Sequence, residues 1–258
     1  MEINGTLKTV LKRLRLSGML YTLPDRIAYA QKAKLTQQEF LELVLQDEID
    51  RREQVGLKTR LQKAQFEEEQ VFENFDWDAK ITFDRNTVRD LFNLGFLDRK
   101  EDIIFMGHAG VGKTFLASAL GHSACRAQKK VQFIRADTML KELRQSRADN
   151  STEKLMRKLI SVDLLIVDDF GLRKLSHEQS CDIYEIIIER HKRSSTIITS
   201  NRETDEWIPL FDDPLLAQSA LDRLAHNAYQ VTIEGESYRA KQGPNAITKN
   251  RKKGGKIK

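Results

Sequence analysis

Nowhere in the 258 residues does an apolar run approach the roughly 20 residues needed to cross a bilayer. The opening Met1-Glu2-Ile3-Asn4-Gly5 also lacks the charged-then-apolar layout of an export signal. The expected location is therefore the cytoplasm, with no membrane partner. Cysteine is scarce: Cys125 and Cys181 lie far apart, each inside a predicted helix. That excludes a disulfide framework or a thiolate zinc site and leaves two interior thiols as the expectation. No internal repeat is visible. Apolar residues make up 40% and charged residues 31%, enough aliphatic content for one sizeable core and a small accessory domain.

A net charge of +5 permits nucleic-acid binding without requiring it. Its placement says more. Lys249, Arg251, Lys252, Lys253, Lys256 and Lys258 crowd the last stretch with no acid among them. Two readings stand, a solvated flexible tail and a phosphate-contacting one.

The first hundred residues differ in texture from the rest. Leu7, Val10, Leu11 and Leu14 recur at helical spacing, with Lys8, Lys12, Arg13 and Arg15 between them. Pro24 is expected to interrupt, with a short second helix over 25–32. Thr36 and Glu39 form a capping-box pair opening a longer helix through Phe40, Leu43 and Val44. Residues 47–69 carry both charges densely, as a solvent-facing helix or one that docks on a partner. These features predict an all-helical domain over 1–70, followed by a second domain over 71–240 and a basic flexible tail over 241–258. Phe72, Phe75 and Trp77 lie in a segment without helical period. They either pack on the next domain or flank a bound base. A helix over about 86–94 leads into the core.

From Asp102 the pattern alternates. Apolar runs at 103–106, 131–134, 164–167, 196–199 and 228–233 are separated by helical segments over 113–128, 137–146, 152–160, 176–193 and 214–226. Continuous apolar strands indicate a sheet covered on both faces, and repeated strand-helix units a parallel one. The expected class is α/β, with a parallel five-stranded sheet flanked by helices.

Gly107-His108-Ala109-Gly110-Val111-Gly112-Lys113-Thr114 satisfies G-x-x-x-x-G-K-[ST], with an apolar strand before it and, from Phe115, a helix after it. Glycines let the backbone wrap phosphate oxygens, and the amides and helix N-terminus add positive potential. The eight residues and Phe115 are the expected ATP-binding set. Lys113 would reach the β- and γ-phosphates, and the Thr114 hydroxyl would join a Mg²⁺ shell. Residues 163–170 form an apolar strand ending in Asp168 and Asp169. Asp168 at that strand end is the expected Mg²⁺ holder, and Asp169 would orient or deprotonate the attacking water. The strand 196–200 runs into Asn201, which is either a polar group aimed at the γ-phosphate or an ordinary strand-ending turn.

With these three features together the chain resembles the AAA+ ATPases, the clade of the replication initiator DnaA and helicase loader DnaC, and closer still the IstB family of insertion-sequence transposition helpers. GHAGVGKTFLASALG from Gly107, LLIVDDFG from Leu164, TSNR from Thr199 and DRLAHNAYQVTIEGESYR from Asp222 carry the likeness. The resemblance implies that Asn201 senses the γ-phosphate and that Arg223 reaches the ATP of a neighbouring subunit. Arg239 would be a second sensor or a plain surface arginine. The helices over 137–146 and 152–160 fall where this clade lines DNA-binding rings, which implies DNA contact by Lys141, Arg144, Arg147, Lys154, Arg157 and Lys158; a solvated face is the plainer reading. Where generic relatives have Glu, Asp169 is shorter, so slow unaided hydrolysis is expected. Too few residues follow 233 for a full C-terminal lid domain.

The implied function is an ATPase stimulated by DNA and oligomerisation. It would assemble as a homo-oligomer on double-stranded DNA and direct a cognate transposase to its target during transposition. A replicative helicase loader of the DnaC type is the alternative. A small-molecule kinase would need an arginine-bearing lid, and no such insertion is present. A GTPase would need Asn-Lys-x-Asp, which is also missing.

Overall fold

The computed structural model describes residues 3–76 and 81–237. Two compact units emerge, Met1–Thr59 and Arg60–Lys258. They part inside a helix that a domain limit at residue 70 would leave whole. Among the described residues no helix is long and apolar enough to cross a membrane.

The first unit holds α1 (Gly5–Arg13), α2 (Ser17–Ala33) and most of α3 (Gln37–Ala64). Asn4 caps α1 by accepting the Thr6 N–H. The Thr36–Glu39 box forms as the sequence predicts: the Thr36 N–H donates to Glu39 at 2.7 Å, and the Glu39 N–H donates back to the Thr36 hydroxyl at 3.3 Å. The expected break at Pro24 is absent, and α2 runs through it. Tertiary contacts on both sides override the lost backbone bond. Met19 and Leu23 are buried on one face with Leu11 and Val44, and Ile27 packs beside them. The buried Glu48 accepts the Gly18 N–H at 2.6 Å near one end of α2, while Arg26 grips Asp47 through two bonds of 2.9 and 2.7 Å nearer the other. Arg51 and Arg52 neutralise Glu48, whose carboxyl they hold down at about 2.

In the second unit a 3-10 turn, Phe72–Asn74, precedes β1 (Ile81–Thr82), α4 (Arg85–Leu91) and α5 (Gly95–Arg99). Asp84 caps α4 through the N–H groups of Asn86 and Thr87. The alternating core follows: β2 (Asp102–Met106), α6 (Lys113–Arg126), β3 (Val131–Arg135), α7 (Ala136–Ala148), α8 (Thr152–Ile160), β4 (Leu164–Phe170), α9 (His177–Arg190) and β5 (Ser195–Ser200). The 3-10 helix Thr204–Leu210, α10 (Pro214–His226), β6 (Ala228–Thr232) and β7 (Glu234–Gly235) complete it. Ser176 and Gln179 form a capping box on α9, and Asp213 caps α10 just before Pro214.

The five-stranded sheet is parallel throughout, in the order β3-β4-β5-β2-β6. Side-chain alternation explains why its strands read as unbroken apolar runs. Ile104, Met106, Leu165, Val167 and Ile198 face a core shared with α7, α8, α9 and α10. Ile103, Phe105, Leu164, Ile166 and Ile197 are fully buried on the other side, where Gly121 lets α6 lie against Ile166. The short β1–β7 ribbon is antiparallel.

Buried Arg190 ties the bottom of the sheet together. Its guanidinium donates to the carbonyls of Leu159, Ile160, Val162 and Ser195 and to the Thr196 hydroxyl. Desolvation lowers it to about 10. At the opposite, carboxyl edge, connections leaving β2 and β5 run in opposite directions across the sheet, and a crevice at such a switch point is where open α/β sheets bind ligands.

Candidate functional site

The loop from β2 into α6 sits at that crevice. Gly107 has φ +141°, and a Cβ there would lie 2.0 Å from the Ile233 carbonyl oxygen. Because the obstacle is backbone, no side chain can substitute. Gly112, at φ +101°, turns the loop into α6, whose first turn carries no side-chain cap. The orphan amides of that turn therefore point toward the loop, as an anion site requires.

Lys113 is only 4% exposed. Its ammonium donates to the carbonyls of Gly107 (2.8 Å) and His108 (2.7 Å) and to Asn201 Oδ1 (2.8 Å). The next residue, Thr114, donates its hydroxyl to Asp168 Oδ1 at 2.9 Å. The ends of β2, β4 and β5 thus bring Lys113, Thr114, Asp168 and Asn201 together. A buried ammonium held on loop carbonyls beside two hard oxygen donors suits a metal-bound polyphosphate.

Asp168 is buried, and burial raises its carboxyl above the usual range. Hydrogen bonds from Thr199 and Thr114 oppose that shift, and the neighbouring charge of Asp169 adds to it. Two consecutive strand residues would ordinarily point to opposite faces. Here the β4–β5 register slips between Val167 and Phe170, so β4 gains a residue as a bulge. Asp169 absorbs it at φ +55°, its N–H bonded to the Thr199 hydroxyl. Its carboxylate pairs with Arg135, at the end of β3, at 3.1 Å. Beyond the bulge, Ser200 donates to the Phe170 carbonyl and accepts from Trp207, fixing the strand end that presents Asn201.

An apolar cleft adjoins the loop, lined by Asn74, Phe75, Asp76, Ile81, Val111, Gly112 and Phe115. Phe75 packs edge-on to Phe83 and tilted to Phe115, with centroids 5.9 and 5.5 Å apart. Phe72 instead meets Phe92. Trp77, Arg239 and the basic tail lie outside the described residues.

Arg223 is not in this cluster. It is exposed, bonded to Ser219 one turn earlier in α10, in a cleft with His191, Lys192, Asp222 and Asn227. The six basic residues of α7 and α8 divide. All but the half-buried Arg147 are exposed. Arg147 is ion-paired to Asp182 of α9 at 2.5 Å, Arg157 to Glu153, and Lys158 donates to Gln65.

Sequence reading missed two participants, Thr199 and Arg135. Both stand at the carboxyl ends of strands flanking β4, the one positional signal that could have found them.

Comparison with known proteins places these observations. The family model for IstB-like ATP binding proteins matches residues 9–246. A protein of Mycobacterium tuberculosis described as ATP-binding in an insertion sequence is 39% identical over 243 residues, covering 94% of this chain and 97% of its own. A Pseudomonas aeruginosa protein described as the ATP-binding protein of insertion sequence IS21 is 35% identical, covering 95% and 93%. Among solved structures, DnaI aligns with TM-score 0.55 and 20% identity over 64% of this chain and 92% of its own. DnaA bound to AMPPCP and single-stranded DNA aligns with TM-score 0.55 and 20% identity over 69% and 54%.

Proposed function

The chain belongs to the IstB-like ATP-binding proteins of insertion sequences, and from that premise we propose that it hydrolyses ATP, assembles on duplex DNA and directs a transposase to its target. The observation that carries the reading is the meeting of Lys113, Thr114, Asp168 and Asn201 at the ends of three neighbouring strands.

In this reading the backbone of 107–112 and the first turn of α6 bind the phosphates, and Lys113 neutralises their charge. Phe75, Val111 and Phe115 supply an apolar wall for the base. Thr114 and Asp168 would hold Mg²⁺, which when bound draws charge from the phosphate oxygens. Asp169 orients the attacking water and takes its proton, and Asn201 fixes the terminal phosphate. Arg223, exposed on α10, serves the site of an adjacent copy. The exposed Lys141, Arg144 and Lys154 contact DNA phosphates.

The test is ATP turnover with and without duplex DNA, together with particle mass under the same conditions. Stimulated turnover and ATP-dependent growth in mass are expected. No stimulation and no change in mass would overturn the reading. The helicase-loader alternative rests on fold likeness to DnaI and DnaC, and retention of the chain by immobilised helicase rather than transposase would favour it.

A further inference from the structure

Of the sequence stretches that carry the family likeness, the far end of the one beginning at Asp222 has no part in the site described so far. The fold lays that end along the phosphate loop. Just past β6 the Ile233 N–H continues the ladder to the Met106 carbonyl at 2.8 Å, and the Ile233 carbonyl itself abuts Gly107. Glu234 and Gly235 then pair with β1, opposite Thr82 and Ile81. Ile81 belongs to the apolar cleft with Val111, Gly112 and Phe115. The short ribbon therefore anchors the chain beside the loop, two residues before Ser237.

Ser237 meets the loop at its middle. A Cβ on Gly110 would stand 2.2 Å from Ser237 Oγ, 3.1 Å from its Cβ and 3.4 Å from its Cα. Gly110 is thus held to glycine both by this approach and by its φ of +84°. The Ser237 residue is half-buried, and its hydroxyl makes no hydrogen bond within the chain among the described residues. A hydroxyl in that position is completed by water or by a ligand. Glu234 and Glu236 are exposed, so the side chain laid on the loop is the neutral one. Toward a bound phosphate the loop amides and the Lys113 ammonium act as donors, and phosphate oxygens lie about 3 Å from such amides. A hydroxyl packed on the Cα of the same residue comes within reach of those oxygens by rotation about χ1.

We propose that Ser237 binds the nucleotide, its hydroxyl donating to a phosphate oxygen of ATP held on the loop. Residues 233–237 then form a wall of the phosphate site, supplied from the far end of the chain and steadied by the β1–β7 ribbon. The proposal rests on ATP binding at the phosphate loop, and it concerns affinity rather than the hydrolytic step.

Titration of the full chain with a fluorescent ATP analogue tests it, with thermal melting in the absence of nucleotide alongside. Ser237→Ala removes the hydroxyl, whereas Ser237→Cys keeps its shape and offers only a weak donor. Both should bind at least about tenfold more weakly than the wild type, the scale for losing a hydrogen bond to a charged group, and both should melt where the wild type does. Wild-type affinity in Ser237→Ala would overturn the proposal. Wild-type affinity in Ser237→Cys alone would do so too, because shape and not the donor would then matter. Weak binding accompanied by lowered melting in both variants would assign Ser237 to packing and overturn it equally. A wild-type chain that binds no analogue would remove the phosphate-loop reading itself, and this proposal with it.

Discussion

The hydroxyl of Thr199 donates a 2.6 Å hydrogen bond to Asp168 Oδ1 and accepts the N–H of Asp169 at 2.9 Å. One side chain on β5 thus aims the buried carboxylate and pins the bulge beside it. Thr199→Val keeps the shape and removes both bonds, leaving polar groups short of a partner at a cost of about 1–3 kcal/mol. ATP affinity should change little, and turnover should fall on the order of 10–100-fold. Thr199→Ser should restore turnover, as measured by phosphate release beside a calorimetric ATP titration.

Lys113 and Asn201 touch, yet their loss should read differently. Lys113→Ala removes the buried ammonium that balances phosphate charge, so binding of a fluorescent ATP analogue should disappear. Asn201→Ala leaves that ammonium in place. The analogue should bind within a few-fold of wild type while hydrolysis slows about 100-fold, the scale for losing one positioned donor.

Asp169→Asn is nearly isosteric and leaves Asp168 and Thr114 untouched. Nucleotide should bind normally and hydrolysis should slow by about 100-fold or more, as expected for loss of a general base. Assemblies on DNA should then outlast those of the wild type in a filter-retention time course. Unchanged turnover would remove Asp169 from the chemistry.

Burial pushes the Asp102 carboxyl, at the start of β2, from 3.8 up to about 7, against opposing bonds from Thr196 and Asn227 and the charge of Arg190. Between those values the folded state keeps a proton that the unfolded state has released. Stability therefore falls as pH rises from about 4 to 7 and levels off above, by up to about 4 kcal/mol. Asp102→Asn should flatten this slope in urea denaturation at pH 5 and pH 8.

Much of this was readable beforehand because it is local. Strand runs, the helices of the core and the phosphate loop each declare themselves within a dozen residues, and α8 and α10 end where periodicity places them. Long-range features did not. Pro24 argues for a break until Met19, Leu23 and Ile27 are seen to share one buried face with Val44. The β1–β7 ribbon joins residues some 150 positions apart through two short segments, with nothing in either to announce the other. At the site, the strand-end pattern assigns Asp168 to Mg²⁺ and Asp169 to the attacking water without saying how each is aimed. A register slip that no composition encodes sends one carboxylate to Thr114 and the other to Arg135.

The approach of Gly107 to the Ile233 carbonyl has a further consequence, for how such a chain can diverge. The obstacle at Gly107 is main-chain, the Ile233 carbonyl one residue past β6. Exposed positions such as Gln230 and Thr232 can change without disturbing the loop, whereas Val231 and Ile233 are buried and hold the strand end in place. A single inserted or deleted residue would carry the wrong carbonyl under Gly107, so spacing, as much as identity, is what selection must preserve there.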